Sequence, residues 1–144
     1  MTMRSVNEMR IGLGQFNELT EEKMSFIKQL GADDFLMNTP NLPGTQRWEL
    51  SDLVNLRERA DAADLRLMCL ENVPVEFYYK AMLGLPGRDE QIENMQATIK
   101  NMGAAGIPIL GYHWMPNQVW RSPKRAHLRG GALATQFNYE EHSC

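Results

Sequence analysis

Polar side chains end four short apolar runs of the sequence, where a strand would reach the protein surface. They are Gln15, Asn38, Glu71 with Asn72, and Tyr112 with His113. Gln15 and Asn38, taken singly, are more often residues that only finish a strand. Glu71 follows five mostly apolar residues, so its carboxylate requires a cationic partner, a metal or a substrate hydroxyl, because an unpaired buried charge is costly. A structural ion pair and a functional role for Glu71 are equally compatible with the sequence.

The segment after the fourth run combines a histidine, two indoles and an arginine. His113 has three possible roles: a general base, a metal ligand, or a histidine with satisfied hydrogen bonds beneath a loop, which the sequence slightly favours. Trp114 and Trp120 lie six positions apart and Arg121 follows directly. Aromatic walls with a guanidinium suit a sugar acid, because C–H faces stack on rings and a carboxylate accepts the two parallel bonds of arginine. The equal alternative is a loop that folds its own aromatic residues inward.

A basic cluster and several incomplete motifs lead to weaker hypotheses. The cluster lies between Arg121 and Arg129 and could meet phosphate or nucleic acid, although a solvated loop is the more frequent case. Gly12-Leu13-Gly14 begins a dinucleotide-binding pattern, but the third glycine is replaced by Asn17. Three histidines lack metal-ligand spacing, and Cys69 lies mid-strand, where a small buried thiol is the default.

The order of elements is β-α-β-α-β-α-β, which predicts an α/β fold with parallel strands. Loops that follow strands are long and loops that follow helices are short, so the binding residues are expected at the carboxyl ends of the strands. The expected strands are 9–15, 34–38, 65–71 and 107–112, and the expected helices are 20–31, 51–63 and 89–103.

Apolar spacing and capping residues predict how the helices begin and which faces they bury. Thr20 is expected to cap the first helix, where Met24, Ile27 and Leu30 form the buried stripe, and Asp89 to cap the third. The third helix carries an apolar stripe of Ile92, Met95, Ile99 and Met102. We therefore expect Ile99→Asp to cost several kcal/mol, on the order of breaking the fold.

Composition restricts the class of protein. The chain has 144 residues, a formal charge of -3 and two cysteines, which is typical of one globular domain in a reducing compartment. Its polar start and the absence of an apolar run of roughly 18 residues indicate a cytoplasmic protein without a membrane partner. No global basic field points to nucleic acid, so the expected partners are small molecules or proteins, including further copies of the chain.

Several motifs resemble the mannonate dehydratase family. They are Gly87-Arg88-Asp89, Asn101 to Ile107, Tyr112-His113-Trp114-Met115-Pro116, Trp120-Arg121 and Arg129 to Ala132. The resemblance covers nearly all of the chain but only the N-terminal portion, under half, of a family member. Xylose-isomerase-like sugar isomerases and epimerases share the barrel but lack the Tyr-x-aromatic-Met-Pro run, so they rank second.

This resemblance implies a metal-dependent hydro-lyase that converts D-mannonate to 2-keto-3-deoxy-D-gluconate with Mn²⁺ or Fe²⁺ in hexuronate breakdown. The expected fold is a partial (β/α)8 barrel of about four βα units, with a core over 1–116 and a loop or tail over 117–144. A complete barrel needs about 250 residues. We therefore expect the metal ligands to lie in later strands outside this chain.

The substrate-binding residues expected from the sequence are Glu71, Tyr112, His113, Trp114 and Arg121. We expect a truncated reading frame whose product is inactive alone, or active only when two chains or a separately encoded partner complete a barrel. A non-catalytic binding domain that uses the basic segment is the further alternative.

Overall fold

The computed structural model describes residues 9–116 and 119–141. The chain divides between His113 and Trp114 into two compact units, here called the first unit and the second unit. The strands are β1 Gly12–Phe16, β2 Asp34–Asn38, β3 Arg66–Glu71, β4 Ile109–Gly111, β5 Arg125–His127 and β6 Leu133–Thr135. The α-helices are α1 Glu21–Gln29, α2 Leu50–Ala62, α3 Tyr79–Leu83 and α4 Arg88–Ala104, and three single-turn 3₁₀ helices cover Val75–Phe77, Arg129–Gly131 and Tyr139–Glu141.

The first unit is built on one parallel sheet with the strand order β1-β2-β3-β4. Each strand is hydrogen-bonded to the next strand in the chain, with helices in the connections, as in successive units of a (β/α)8 barrel. The predicted fold class, a partial barrel of four parallel strands, is confirmed. β1 begins at Gly12 rather than at residue 9, and β4 is shorter than its apolar run.

The register of the sheet separates a buried face from a partly exposed face. Phe35 pairs with Leu67 and Met37 pairs with Leu70, and all four side chains are buried in the core. The core also contains residues of the helices, including Ile27, Leu53, Ala60 and Met102. The helices therefore cover one face of the sheet.

The first two helices largely follow the predicted pattern. Thr20 caps α1, since its hydroxyl accepts a hydrogen bond from the Lys23 N–H at 3.3 Å. Met24 and Ile27 are buried, but Leu30 is 56% exposed, so the prediction that Leu30 belongs to the buried stripe is wrong. Leu30 lies at the C-cap, where the helical period ends.

Helix α4 departs from the prediction both in its cap and in its buried face. Gly87, with a φ of 88°, precedes the helix, so Asp89 lies in the first turn and is not the cap. Ile92 and Ile99 are 45% and 51% exposed, whereas Gln91 and Thr98 are buried.

Buried polar side chains of α4 are satisfied by backbone partners, which explains its orientation. The Gln91 carboxamide oxygen accepts from the N–H groups of Lys80 and Ala81, and its NH₂ group donates to the Glu76 carbonyl. The Thr98 hydroxyl accepts from the Trp48 N–H at 3.4 Å. A satisfied polar group can lie in a core at little cost. The predicted stripe through Ile92 and Ile99 is therefore wrong.

An ion-pair cluster lies at the amino ends of β2 and β3. The Asp34 carboxylate accepts two bonds from the Arg66 guanidinium, at 2.8 and 2.9 Å, and one from Arg10 at 2.8 Å. The hydrogen bond to Asp34 raises the pKa of Arg66, with a smaller opposing effect of burial. This cluster is at the end of the sheet opposite to the expected binding residues.

The second unit contains a two-stranded antiparallel sheet of β5 and β6, in a stretch where the sequence predicts a loop or tail. Ser122 is bonded to the segment that follows β6. Its backbone N–H donates to the Gln136 carbonyl, and its hydroxyl accepts from the Asn138 N–H. Within the part of the chain that is described, none of the helices is both long and apolar enough for a membrane span.

Candidate functional site

The carboxyl ends of β1 to β4 bring polar side chains to one rim of the sheet. Gln15 donates a hydrogen bond from its side-chain NH₂ group to the Glu71 carboxylate at 2.5 Å. Gly111 leaves room for this carboxylate, since a Cβ at that position would lie 3.3 Å from Glu71 Cγ. Among the ion pairs of residues 9–116 and 119–141, none involves Glu71. The half-buried carboxylate therefore has a neutral partner and keeps acceptor capacity for a ligand.

His113 is held by two side chains of the same rim. Its Nδ1 lies 2.6 Å from the Asn72 carboxamide oxygen, and its Nε2 lies 3.2 Å from the Tyr78 hydroxyl. The Asn72 NH₂ group donates to Asn38 at 3.2 Å, so the carboxamide oxygen of Asn72 faces the ring and accepts from Nδ1–H. In this tautomer Nε2 accepts from the Tyr78 hydroxyl. Of the three roles open to His113, the structure favours the histidine whose hydrogen bonds are satisfied.

Tyr78 is a residue of this rim that sequence reasoning missed. Its side chain is buried, and its ring meets the His113 ring edge-on at 6.1 Å. Burial raises the pKa of the Tyr78 hydroxyl, and the nearby Glu76 charge raises it further. The hydroxyl therefore remains a donor at neutral pH. It lies between the 3₁₀ helix Val75–Phe77 and α3, in a stretch that the sequence predicts as a loop without periodic spacing, so the sequence contains no signal for it.

Backbone bonds continue the sheet beyond the strands and fix the rim. The Thr39 N–H donates to the Glu71 carbonyl at 2.7 Å, and the Asn72 N–H donates to the Gly111 carbonyl at 2.8 Å. Asn72 adopts a positive φ of 58°, a conformation that asparagine tolerates better than most residues. The chain turns sharply there and directs the carboxamide between Asn38 and His113.

Cys69 lies in β3 two residues before the rim. Burial raises the pKa of its thiol, Glu71 adds a smaller increase, and the hydrogen bond from the Gly111 backbone opposes both. The thiol is therefore protonated at neutral pH and is a poor nucleophile. The sequence predicts a small buried thiol, whereas Cys69 is half-buried in the structure.

The remaining predicted residues lie outside this network. Tyr112 is 76% exposed at the end of β4. Trp114 and Arg121 belong to the second unit, where both are exposed. Arg121 donates to the Trp120 carbonyl at 3.0 Å, and Trp120 packs edge-on against Phe137. Of the predicted substrate-binding residues, Glu71 and His113 thus lie together on the rim of the first unit. Trp114 and Arg121 belong to the second unit.

The described residues do not fit a Mn²⁺ or Fe²⁺ centre. Residues 9–116 and 119–141 contain no group of three or more His, Cys, Asp or Glu side chains placed to hold a metal ion. Both ring nitrogens of His113 already have hydrogen-bond partners. Glu71 is the only residue with a carboxylate among the five described residues of the rim, which are Gln15, Asn38, Glu71, Asn72 and His113.

The fold and the rim define a partial (β/α)8 barrel with polar side chains at the carboxyl ends of its four strands. Residues 9–143 match the family D-mannonate dehydratase (UxuA), and the chain belongs to this family.

Individual relatives agree with this assignment. A mannonate dehydratase from Streptococcus pneumoniae is 33% identical over 86% of this chain and 33% of its own length. One from Thermotoga petrophila is 33% identical over 69% of this chain and 27% of its own length. The crystal structure of mannonate dehydratase from Streptococcus suis serotype 2 matches 95% of this chain and 39% of its own, with a TM-score of 0.75 and 27% identity. The chain therefore spans between about a quarter and a third of the length of the curated relatives it matches.

Proposed function

We propose that this chain forms the substrate-binding rim of a D-mannonate dehydratase, the lyase that converts D-mannonate to 2-keto-3-deoxy-D-gluconate and water. Membership of the family over residues 9–143 is the observation that carries the proposal. It also favours a dehydratase over the sugar isomerases that share the barrel. The cytoplasmic location and the absence of a nucleic-acid partner stay predictions of the sequence.

The reaction removes the proton beside the carboxylate and expels the neighbouring hydroxyl as water, and the resulting enol becomes the ketone. This proton is weakly acidic, so a base, an acid and a stabiliser of the developing charge are needed. A divalent metal such as Mn²⁺ or Fe²⁺ supplies that stabilisation in such chemistry. We place its ligands outside this chain.

The residues of this chain bind and orient the sugar acid. Glu71 accepts hydrogen bonds from substrate hydroxyls with the capacity that Gln15 leaves open, and Tyr112 and His113 border the same end of the sheet. The contacts of Trp114 and Arg121 with a substrate stay predictions of the sequence, since both residues belong to the second unit. None of these roles removes the proton, so the 144-residue chain alone should not turn over D-mannonate.

A titration with D-mannonate tests this role. We expect NMR shifts of the Gln15, Glu71 and His113 signals, and a Glu71→Gln variant that binds about tenfold more weakly because a charged acceptor is lost. Glu93→Gln, which changes an exposed acid of α4, is the matched control and should bind normally. The proposal fails if D-mannonate perturbs no rim signal, or if both variants bind equally well.

Turnover is measured separately, as formation of 2-keto-3-deoxy-D-gluconate with D-mannonate and Mn²⁺ present. We expect none above the rate without protein. Turnover by the isolated chain would show that the described residues suffice for the chemistry and would contradict the assignment of the metal ligands to another part of the enzyme.

A further inference from the structure

Gln15 holds one oxygen of the Glu71 carboxylate without neutralising its charge. The Gln15 NH₂ group donates to Oε2 of Glu71 at 2.5 Å. Because an ionised carboxylate only accepts, this contact also fixes which way the Gln15 carboxamide faces. The bond crosses β2, since Gln15 lies in β1 and Glu71 lies in β3. The contact is therefore complete within the described sheet.

The neighbour of Glu71 on β2 is also uncharged. Glu71 pairs in register with Asn38. The Asn38 carboxamide oxygen accepts from the Thr39 hydroxyl and from the Asn72 NH₂ group, so the NH₂ group of Asn38 is the part that can serve a ligand. In the part of the chain that the structure describes, none of the ion pairs includes Glu71. Amide dipoles rather than a cation therefore face this carboxylate.

This set of groups suits hydroxyls and disfavours anions. A hydroxyl both donates and accepts, so it can donate to the second oxygen of Glu71 and accept from an amide N–H of Gln15 or Asn38. A ligand carboxylate only accepts, and beside Glu71 it would meet a like charge with no cation between them. D-Mannonate carries a carboxylate at one end and a primary hydroxyl at the other. The two ends of the sugar acid therefore differ in how well they fit this place.

We propose that Gln15 and Glu71 determine specificity by binding the hydroxyl end of the sugar acid and rejecting a carboxylate there. The carboxylate of D-mannonate then points away from the pair. Gln15 contributes because it is neutral, whereas a cationic residue in its place would neutralise Glu71 and remove the discrimination. This inference rests on the proposed function, since it assigns the direction in which the rim binds the sugar acid.

NMR titration of the 144-residue chain with two ligands tests this direction. D-Mannarate is the dicarboxylate counterpart of D-mannonate, and its two ends are identical, so reversing the molecule still brings a carboxylate to Glu71. We expect D-mannarate to bind at least about tenfold more weakly than D-mannonate. D-Mannonate binding at the rim together with equal affinity for D-mannarate would overturn this inference alone. An absence of D-mannonate binding would instead contradict the proposed function.

Charge variants separate electrostatic rejection from a poor fit of shape. In Glu71→Gln the ratio of the two dissociation constants should fall below about threefold, because the like charge is removed. Gln15→Lys places an ammonium beside Glu71, so D-mannarate should bind at least as tightly as D-mannonate. Gln29→Lys is the matched control, because it adds the same charge at an exposed glutamine that ends α1, and it should keep the wild-type ratio. A wild-type ratio in both rim variants would overturn the proposal.

Ionic strength provides a readout on the wild type if a rim variant fails to fold, which circular dichroism would show. Mobile ions screen the repulsion between the ligand carboxylate and the half-buried Glu71, and the screening length falls from about 30 Å at 0.01 M salt to about 3 Å at 1 M. The ratio of the two dissociation constants should therefore fall as NaCl is raised over that range. Rejection by shape does not respond to salt, so a constant ratio would contradict the proposal.

Discussion

At the residue scale, the rim is a set of satisfied hydrogen bonds around His113, and this limits what each side chain can do. A ring whose two nitrogens both have protein partners must break a bond before it can bind a metal or abstract a proton. Glu71 differs, because its neutral partner Gln15 leaves a charged acceptor available. Substrate contacts are therefore expected at Glu71, while His113 orients the rim.

Replacing Tyr78 tests the contribution of the buried network. Tyr78→Phe keeps the ring and removes the hydroxyl, which leaves His113 Nε2 without its donor, so we expect a loss of about 1 kcal/mol in the free energy of unfolding. Tyr79→Phe removes the hydroxyl of the adjacent, exposed tyrosine and should change stability by less than about 0.5 kcal/mol. Urea unfolding measures both variants. Equal effects would show that the bond between Tyr78 and His113 adds nothing.

The raised pKa of Cys69 gives a prediction of pH dependence. Alkylation by iodoacetamide requires the thiolate, and a thiol whose pKa is raised forms it only at higher pH. In a Cys144→Ser background, Cys69 should react more slowly than glutathione at pH 8, and its rate should continue to rise at pH values where glutathione has levelled off. Mass spectrometry measures the extent of alkylation of Cys69 and of glutathione over time. A pH profile that overlays that of glutathione would contradict the shift.

At the element scale, the sequence predicted which segments form helices and strands better than it predicted their buried faces. Thr20 and the apolar runs are local signals, and local signals set where elements lie. The orientation of α4 depends on Gln91 and Thr98, whose hydrogen-bond partners lie outside the helix, 10 to 15 positions away for Gln91 and 50 for Thr98. Apolar periodicity counts such residues as exposed, so it selected Ile99 instead. The contacts of Tyr78 and Asn72 on the rim could not be predicted from the sequence either, because their partners also lie in other elements.

The face of α4 can be tested by one substitution at two positions. Ile99→Asp places a carboxylate in water and should change the free energy of unfolding by no more than about 0.5 kcal/mol, contrary to the expectation from the sequence. Met102→Asp places it in the core, where Met102 is 2% exposed, and should cost about 3 kcal/mol or more. Urea unfolding of both variants distinguishes the two orientations. A large loss in the free energy of unfolding for Ile99→Asp would contradict this orientation and support the apolar stripe predicted from the sequence.

The ion-pair cluster at the amino ends of the strands should contribute to stability rather than to binding. Asp34→Ala removes the buried acceptor of Arg66 and Arg10, but both guanidiniums are partly exposed and can rehydrate, so we expect a loss of about 1–2 kcal/mol. Asp61→Ala removes the exposed partner of Arg57 on α2 and should cost about 0.3–0.5 kcal/mol. Thermal unfolding compares the two variants, and unchanged D-mannonate binding by Asp34→Ala would confirm that the cluster is separate from the rim.

At the scale of the whole molecule, the four parallel strands and the family could be predicted, because repeated βα units and the Tyr-x-aromatic-Met-Pro run are continuous in the sequence. The hairpin of β5 and β6 could not, since its strands have three residues each and show no clear period. Nor does alternation along a strand reveal what covers each face. The half-exposed state of Leu36, Cys69 and Ile109 follows from the number of strands in the sheet, which is a property of the assembled fold.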